Sequence, residues 1–313
     1  MMNSLNFLRR NCQKIHVKIL TFGALCCIIY MVNYLKEVPR IIRIVISDAD
    51  GTLVTNSKLI DARAFSRMLT ALGSRNIPMC IASGRTYPAL RRLFAPHEDK
   101  LLYLPLDGAC VIADDTLLCG FPIGISSIAD SLRLLCDSRV RGIELCAYKT
   151  SYLFTKDTAL TCSEQKRLGN ELSVLWSPDM AEAQPMPNEP IYKIIVFTRR
   201  SSDPISAPNG TRAVNQSDIV TELVREDVNK RRAAELVCDT LKITPDEILA
   251  YGDSENDREL LSWVGTAVTM YGAKHEIFSI TKYHTQNVAE SVIRFLRDED
   301  AAQNRRSGTH GKI

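Results

Sequence analysis

Residues 41–54 read IIRIVISDADGTLV, and the fold is decided here. The stretch opens with apolar, mostly β-branched residues: Ile41, Ile42, Ile44, Val45 and Ile46. Such a run marks a strand buried on both faces, as at the centre of a parallel sheet. It stops at Ser47, and Asp48, Ala49, Asp50, Gly51 and Thr52 follow. Two carboxylates two positions apart therefore stand at the carboxyl edge of a sheet, where open α/β folds bind ligands. Crowded acids cost free energy unless a cation or a reaction requires them. Mg²⁺ suits the place, because it takes hard oxygen ligands and keeps waters and substrate phosphate around it. Asp-Gly after a strand also makes a plain hairpin turn. A calcium loop is excluded by spacing: it needs Gly sixth and Glu twelfth, whereas Gly51 is fourth and Leu59 twelfth.

Downstream partners decide between turn and site. Residues 61–74, DARAFSRMLTALGS, carry helical spacing at Ala64, Phe65, Met68, Leu69 and Leu72, with Gly73 as a closing residue. Residues 77–82, IPMCIA, form a second buried strand, followed at once by Ser83, Gly84 and Arg85. A strand–helix–strand unit in a parallel sheet brings Ser83 beside Asp48. A helix follows at 87–94. From about 101 to 221 short strands and helices mix with turns, including a turn at Asp107-Gly108, a hairpin over 143–156 and the strand IYKIIVFTRR at 191–200. This pattern predicts an α+β module inserted into the first domain, with 201–217 as a loop.

The first pattern then resumes. Residues 229–241 are helical, with Lys230 near the start. ILAYG at 248–252 is a third buried strand, and Asp253, Asn256 and Asp257 follow it. GTAVTM gives a fourth strand and 288–296 a closing helix. One edge thus collects Asp48, Asp50, Ser83, Lys230, Asp253 and Asp257: four acids, a hydroxyl and a lysine. That inventory suits phosphoryl transfer, which relies on positioning and charge neutralisation. In this reading Asp48 is the nucleophile, forming an aspartyl-phosphate, and Asp50 is the general acid and base. Asp48, the Asp50 carbonyl and Asp253 hold Mg²⁺, with Asn256 and Asp257 orienting them. Ser83, Gly84 and Lys230 hold the phosphate. Taken singly, Asp257 is equally an early-helix acid, Ser83 a helix cap and Lys230 a solvated lysine. Their order on one edge favours the catalytic reading. Arg85 is either structural or in contact with the insert, and Lys193 faces either substrate or solvent.

DADGTL, IASGR, Lys230 and GDSEND, in that order, resemble the four motifs of the haloacid dehalogenase-like hydrolases. The insert resembles the type IIB cap of the Cof-type phosphatases. The resemblance implies a doubly wound, Rossmann-like parallel-sheet α/β core with an inserted α+β cap that closes over the site. Arg231, Asp107 and Gly272 depart from the family pattern, where glycine, asparagine and asparagine are usual, and none removes a catalytic group. The expected divisions are an N-terminal segment at 1–38, the core at 39–86 and 225–298, the cap at 87–224 and a flexible tail at 299–313. The expected activity is Mg²⁺-dependent hydrolysis of small, sugar phosphate-like metabolites. A phosphomutase of the phosphomannomutase type and a membrane-anchored binding protein without turnover are the alternatives.

The 313 residues suffice for two domains, and 45% apolar with 24% charged residues is ordinary for a globular protein. A net charge of +3 without a basic stripe argues against a nucleic-acid partner. The ten cysteines show no disulfide or zinc spacing. Residues 1–36 lack acids, and Arg9, Arg10, Lys14 and Lys18 precede the apolar run at 19–35. That run is read as a single-pass membrane anchor or a secretory or organellar targeting segment, with a cytoplasmic chain as the alternative. Sequons begin at Asn209 and Asn215.

Overall fold

The computed structural model describes residues 41–54, 60–176, 187–199 and 205–308. The chain divides into two units, Ile41–Asp300 and the chain ends Met1–Arg40 with Ala301–Ile313. All elements named below lie in the first unit, except that its last helix runs on beyond Asp300.

The central strand β1 is Ile44–Ser47, buried at every position. It pairs in parallel with β2 (Met79–Ala82) on one side and β12 (Ile248–Gly252) on the other. The neighbours of β1 thus come from distant parts of the chain. Connections diverge from it in opposite directions, which opens a crevice at the carboxyl ends of the three strands. Among the described residues this sheet has eight strands in the order β14-β13-β12-β1-β2-β3-β4-β5. Here β3 is Leu101–Leu104, β4 Cys110–Ala113, β5 Thr116–Gly120, β13 Thr266–Met270 and β14 Tyr283–Thr285. The pairings β3–β4 and β4–β5 are antiparallel, so β4 alone is reversed.

Helices cover both faces, as a doubly wound sheet requires. Helix α1 (Ala62–Gly73) starts where the Asp61 carboxylate accepts from the Ala64 N–H at 3.0 Å. Its stripe Phe65, Met68 and Leu72 packs on Val45, Met79, Ile81 and Leu249, together with Val288, Val292 and Leu296 of α8 (Val288–Gly308). On the opposite face Ile44, Ile46, Cys80 and Ala250 meet Ala233, Ala234 and Val237 of α5 (Lys230–Leu241) and Leu260 of α6 (Arg258–Trp263). Each fully buried Val, Leu, Ile, Phe or Met among these contributes about 1.5–3 kcal/mol on burial. Met68→Ala would cost about 2–5 kcal/mol.

The second sheet has six strands among the described residues, in the order β10-β11-β9-β6-β7-β8. They are β6 (Val140–Cys146), β7 (Ser151–Thr155), β8 (Leu172–Trp176), β9 (Lys193–Thr198), β10 (Thr211–Gln216) and β11 (Val220–Arg225). Helix α3 (Ile125–Arg133) contributes Ile128 to the cluster on one face, with Ile143, Leu145, Ile194 and Val196. Alternation then turns Cys146, Lys193, Ile195 and Glu222 to the other face, with α4 (Thr158–Leu168) beside them.

Several expectations are corrected. Residues 87–120, assigned to the cap, supply α2 (Tyr87–Phe94) and three strands that extend the first sheet. Thr211–Gln216, read as loop, is an edge strand on β11, and its polar composition hid it. The tail read as flexible continues α8 as far as Gly308, and Glu299 accepts from the Ile42 N–H at 2.6 Å. The placement at a membrane is also corrected: among the described residues no helix is long and apolar enough to cross one. The longest, α8, carries acids and arginines along its whole length. The apolar run at 19–35 lies outside the described residues.

Candidate active site

The turn after β1 is fixed by its backbone. Asp48 N–H donates to the Tyr251 carbonyl at 2.9 Å, extending the parallel ladder by one residue. Val54 N–H reaches back to the Ala49 carbonyl at 2.7 Å, and Gly51 N–H donates to Val54 at 3.0 Å. Gly51 has φ +78, and a Cβ there would stand 2.4 Å from Asp253 Oδ2. Only glycine lets this turn approach the strand end that carries Asp253.

Lys230 is the first residue of α5, whose cap is the Asn229 side chain accepting from the Arg232 N–H at 2.8 Å. Its Nζ lies 2.6 Å from Asp48 Oδ1 and 2.7 Å from Asp257 Oδ1. Both aspartates and the lysine are buried. Gly108, at φ +88, tucks under this helix start, where a Cβ would meet the Asn229 carbonyl at 2.5 Å.

Oxygens of Asp48, Asp253 and Asp257 lie within 4.8 Å of one another. Asp257 is held on both oxygens: its Oδ2 accepts from the N–H groups of Asp253 and Ser254 at 3.0 and 3.1 Å, while Oδ1 takes Lys230. Asp253 accepts from the Thr52 hydroxyl at 2.9 Å through Oδ1. Asp48 Oδ2 and Asp253 Oδ2 remain. Burial pushes the Asp48 carboxyl well above the usual carboxylate range, against the pull of Lys230. Burial and the Asp257 charge raise Asp253. Lys230, despite burial, is held charged by Asp257 and Asp48. Three carboxyl groups facing one ammonium gather hard oxygen donors with acids outnumbering bases, which fits a divalent cation.

Asp50 lies apart from this cluster. Its half-exposed carboxylate takes a two-pronged pair from Arg85, Nε at 2.7 Å and Nη2 at 2.6 Å. Ser83 is buried at the end of β2, and its hydroxyl accepts from the Arg85 N–H at 3.2 Å. Asn256 donates to Asp107 Oδ1 at 2.8 Å rather than to Asp48, Asp253 or Asp257. Asp48, Asp50, Ser83, Gly84 and Asn256 line one cavity of about 470 Å³, bounded on its far side by the second sheet.

Two residues that the sequence named without a settled role, Asp107 and Lys193, also meet at the site. Asp107, read as a turn residue, is buried in a left-handed conformation with φ 59. Burial alone would raise its carboxyl, but Lys193 and then Lys230 hold it below the usual range. Lys193 Nζ donates to Asp107 Oδ2 at 2.8 Å and to the Gly84 carbonyl at 3.0 Å, and lies 2.6 Å from Glu222. A lone lysine within the apolar strand IYKIIVFT was the available signal.

Residues 45–296 match the sequence model of the haloacid dehalogenase-like hydrolases. A phosphoglycolate phosphatase of Methanopyrus kandleri is 24% identical over 262 residues, covering 81% of this chain and 95% of that protein. The fold is shared with a haloacid dehalogenase superfamily phosphatase of Bacteroides thetaiotaomicron, at a TM-score of 0.67 and 16% identity, over 83% of this chain and 97% of the other. It is shared also with a subclass IIB sugar phosphatase of that superfamily, at a TM-score of 0.63 and 16% identity, over 81% and 98%. With four-fifths of its length matched, the chain belongs to the haloacid dehalogenase-like hydrolases.

Proposed function

We propose that the chain is a Mg²⁺-dependent phosphatase of small phosphorylated metabolites, of the sugar phosphate kind, working through an aspartyl-phosphate on Asp48. The observation that carries this reading is the Lys230 bridge between Asp48 and Asp257 at 2.6 and 2.7 Å, beside Asp253 and open to the Ser83 cavity. Lys230 fixes Asp48 Oδ1, so Oδ2 is the oxygen that attacks phosphorus. The bond from phosphorus to the leaving oxygen breaks, and Asp50 delivers a proton to that oxygen. Asp50 then takes a proton from water, which attacks phosphorus, releases inorganic phosphate and restores Asp48. Arg85 keeps the Asp50 carboxylate beside the phosphate loop between these steps. Ser83, the loop at Gly84 and Lys230 bind phosphate oxygens. Asp48, the Asp50 carbonyl and Asp253 would hold Mg²⁺, with Asp257 keeping the acids in place. The bound cation offsets the charge of the phosphate and its acceptor.

Phosphate release from a panel of sugar phosphates and nucleotides, with Mg²⁺ or with chelator, tests the reading alongside Asp48→Asn. Release that requires both the metal and Asp48 is expected. Conversion of a hexose 1-phosphate to its isomer without free phosphate would overturn hydrolysis in favour of a mutase. Undiminished release by Asp48→Asn would overturn the nucleophile.

A further inference from the structure

The loop that follows β2 is gripped by its carbonyls. The Ser83 carbonyl accepts from the Asp107 N–H at 2.9 Å, and the Arg85 carbonyl from the Leu106 N–H at 3.0 Å. Between them the Gly84 carbonyl accepts from Lys193 Nζ at 3.0 Å. Two of the three carbonyls are thus held by the turn between β3 and β4, and one by a strand of the second sheet. A trans peptide carries its N–H opposite its carbonyl. The Gly84 N–H therefore points away from the turn at Leu106 and Asp107, and among the described residues it has no acceptor. The Arg85 N–H is turned from Lys193 toward the Ser83 hydroxyl, 3.2 Å away.

This grip is built on strain. Leu106 and Asp107 both stand in the left-handed region, at φ 55 and 59, and such backbone persists only where its surroundings over-determine it. What the strain delivers is two successive N–H groups aimed at the loop. Asp at 107 tolerates this conformation as Asn does, but it brings a carboxylate whose oxygens lie 3.2 Å from where a Gly84 Cβ would stand. Uncompensated, that charge would repel a bound phosphate. Lys193 meets it at 2.8 Å, and Asn256 holds its other oxygen. Lys193 is 1% exposed, and its three donors face Gly84, Asp107 and Glu222, so none is left for a leaving group.

We propose that Lys193 and Asp107 are positioning residues for phosphoryl transfer: they keep the Gly84–Arg85 peptide from flipping, so that N–H groups and not a carbonyl oxygen meet the phosphate. This assignment rests on the phosphatase reading above. Glycine makes such a flip easy, and a carbonyl turned inward would set an acceptor against anionic oxygens. Because the lock comes from the insert, the phosphate loop takes its working form only with the second sheet in place.

The test uses the full chain with Mg²⁺, glucose 6-phosphate and para-nitrophenyl phosphate as substrates, and orthovanadate as an inhibitor that mimics the phosphoryl group in transfer. In Lys193→Met, kcat/KM is expected to fall about 100-fold. The factor should be the same for both esters, because the defect lies at the group they share. The inhibition constant of orthovanadate should rise about 10-fold. Lys193→Met/Asp107→Asn removes the stranded carboxylate and serves where the single variant does not fold. It should regain stability without regaining kcat. Unchanged kcat/KM in a folded variant, or a loss confined to the hexose ester, would overturn the assignment. So would recovery of kcat in step with the unfolding midpoint in the double variant, as a purely structural role requires. If the wild type hydrolyses neither ester, the phosphatase reading fails on its own, and calorimetry with orthovanadate decides the positioning role. Weaker binding by the double variant supports it; equal binding, or none by the wild type, sinks it.

Discussion

Lys193 Nζ stands 2.8 Å from Asp107 Oδ2, a buried ion pair that joins the six-stranded sheet to the edge of the eight-stranded one. Both side chains are almost fully excluded from water. The pair reaches the phosphate loop through the Gly84 carbonyl and the acidic loop through Asn256. It is therefore a tie between the insert and two parts of the catalytic edge.

Cutting that tie on one side leaves a buried charge without its partner. Lys193→Met should lower stability by about 3–5 kcal/mol. Adding Asp107→Asn removes the stranded carboxylate and should restore about 1–3 kcal/mol of that loss. Urea unfolding of the single and double variants measures the coupling. Costs that simply add would mean that the two side chains do not act as a pair.

The same pair predicts an acid limb in the stability profile. Asp107 is held below its ordinary value, so the unfolded chain takes up its proton first as pH falls. Its contribution is present above the unfolded value of about 3.9 and is lost as pH drops through the lowered folded value. Unfolding midpoints of Asp107→Asn between pH 6 and pH 3 should therefore fall less steeply than those of the wild type. Parallel curves would assign the acid limb to other carboxylates.

The catalytic edge was legible because each acid follows a buried strand directly, and local pattern alone places such residues. Asp48 after Ile44–Ser47 and Asp253 after Ile248–Gly252 are of this kind. The Lys193–Asp107 pair was not, because it links residues 86 apart whose meeting depends on how two sheets face each other. Asp107-Gly108 read as a turn and is one, but burial gave the turn a second duty. The short elements β14 and α7 (His275–Phe278) span three and four residues, too few for any periodicity to register. The continuation of α8 past Arg297 was hidden by polar composition, though Glu299 and Asp300 make ordered contacts with Ile42 and Arg75.

Gly51 separates backbone need from chemistry. An added methyl would lie 2.4 Å from Asp253 Oδ2 in a conformation that side chains rarely adopt. Gly51→Ala should cost about 1–2 kcal/mol of strain and displace Asp253, lowering kcat/KM by about 100-fold. Because the displaced group is an expected metal ligand, a higher Mg²⁺ concentration should recover part of the activity. Loss of activity that no Mg²⁺ concentration relieves would show that the damage lies elsewhere in the turn.

Asp48 and Asp253 make the effect of metal depend on pH. Burial raises both carboxyls, with Asp257 adding to the rise at Asp253, so the folded chain binds these protons more tightly than the unfolded chain does. The sign follows: their stabilising contribution is complete below the unfolded value of about 3.9 and is lost as pH rises through the raised folded values. Above those raised values the metal-free protein carries ionised, crowded acids with Lys230 beside them. Mg²⁺ competes with the protons and relieves that repulsion, so the stabilisation it gives should grow from pH 5 to pH 7.5. At 100 times its dissociation constant the ion should add about 2.7 kcal/mol. Thermal unfolding with and without Mg²⁺ at the two pH values measures the difference, and Asp253→Asn should flatten it. A metal-induced shift of equal size at both pH values would place the cation away from these acids.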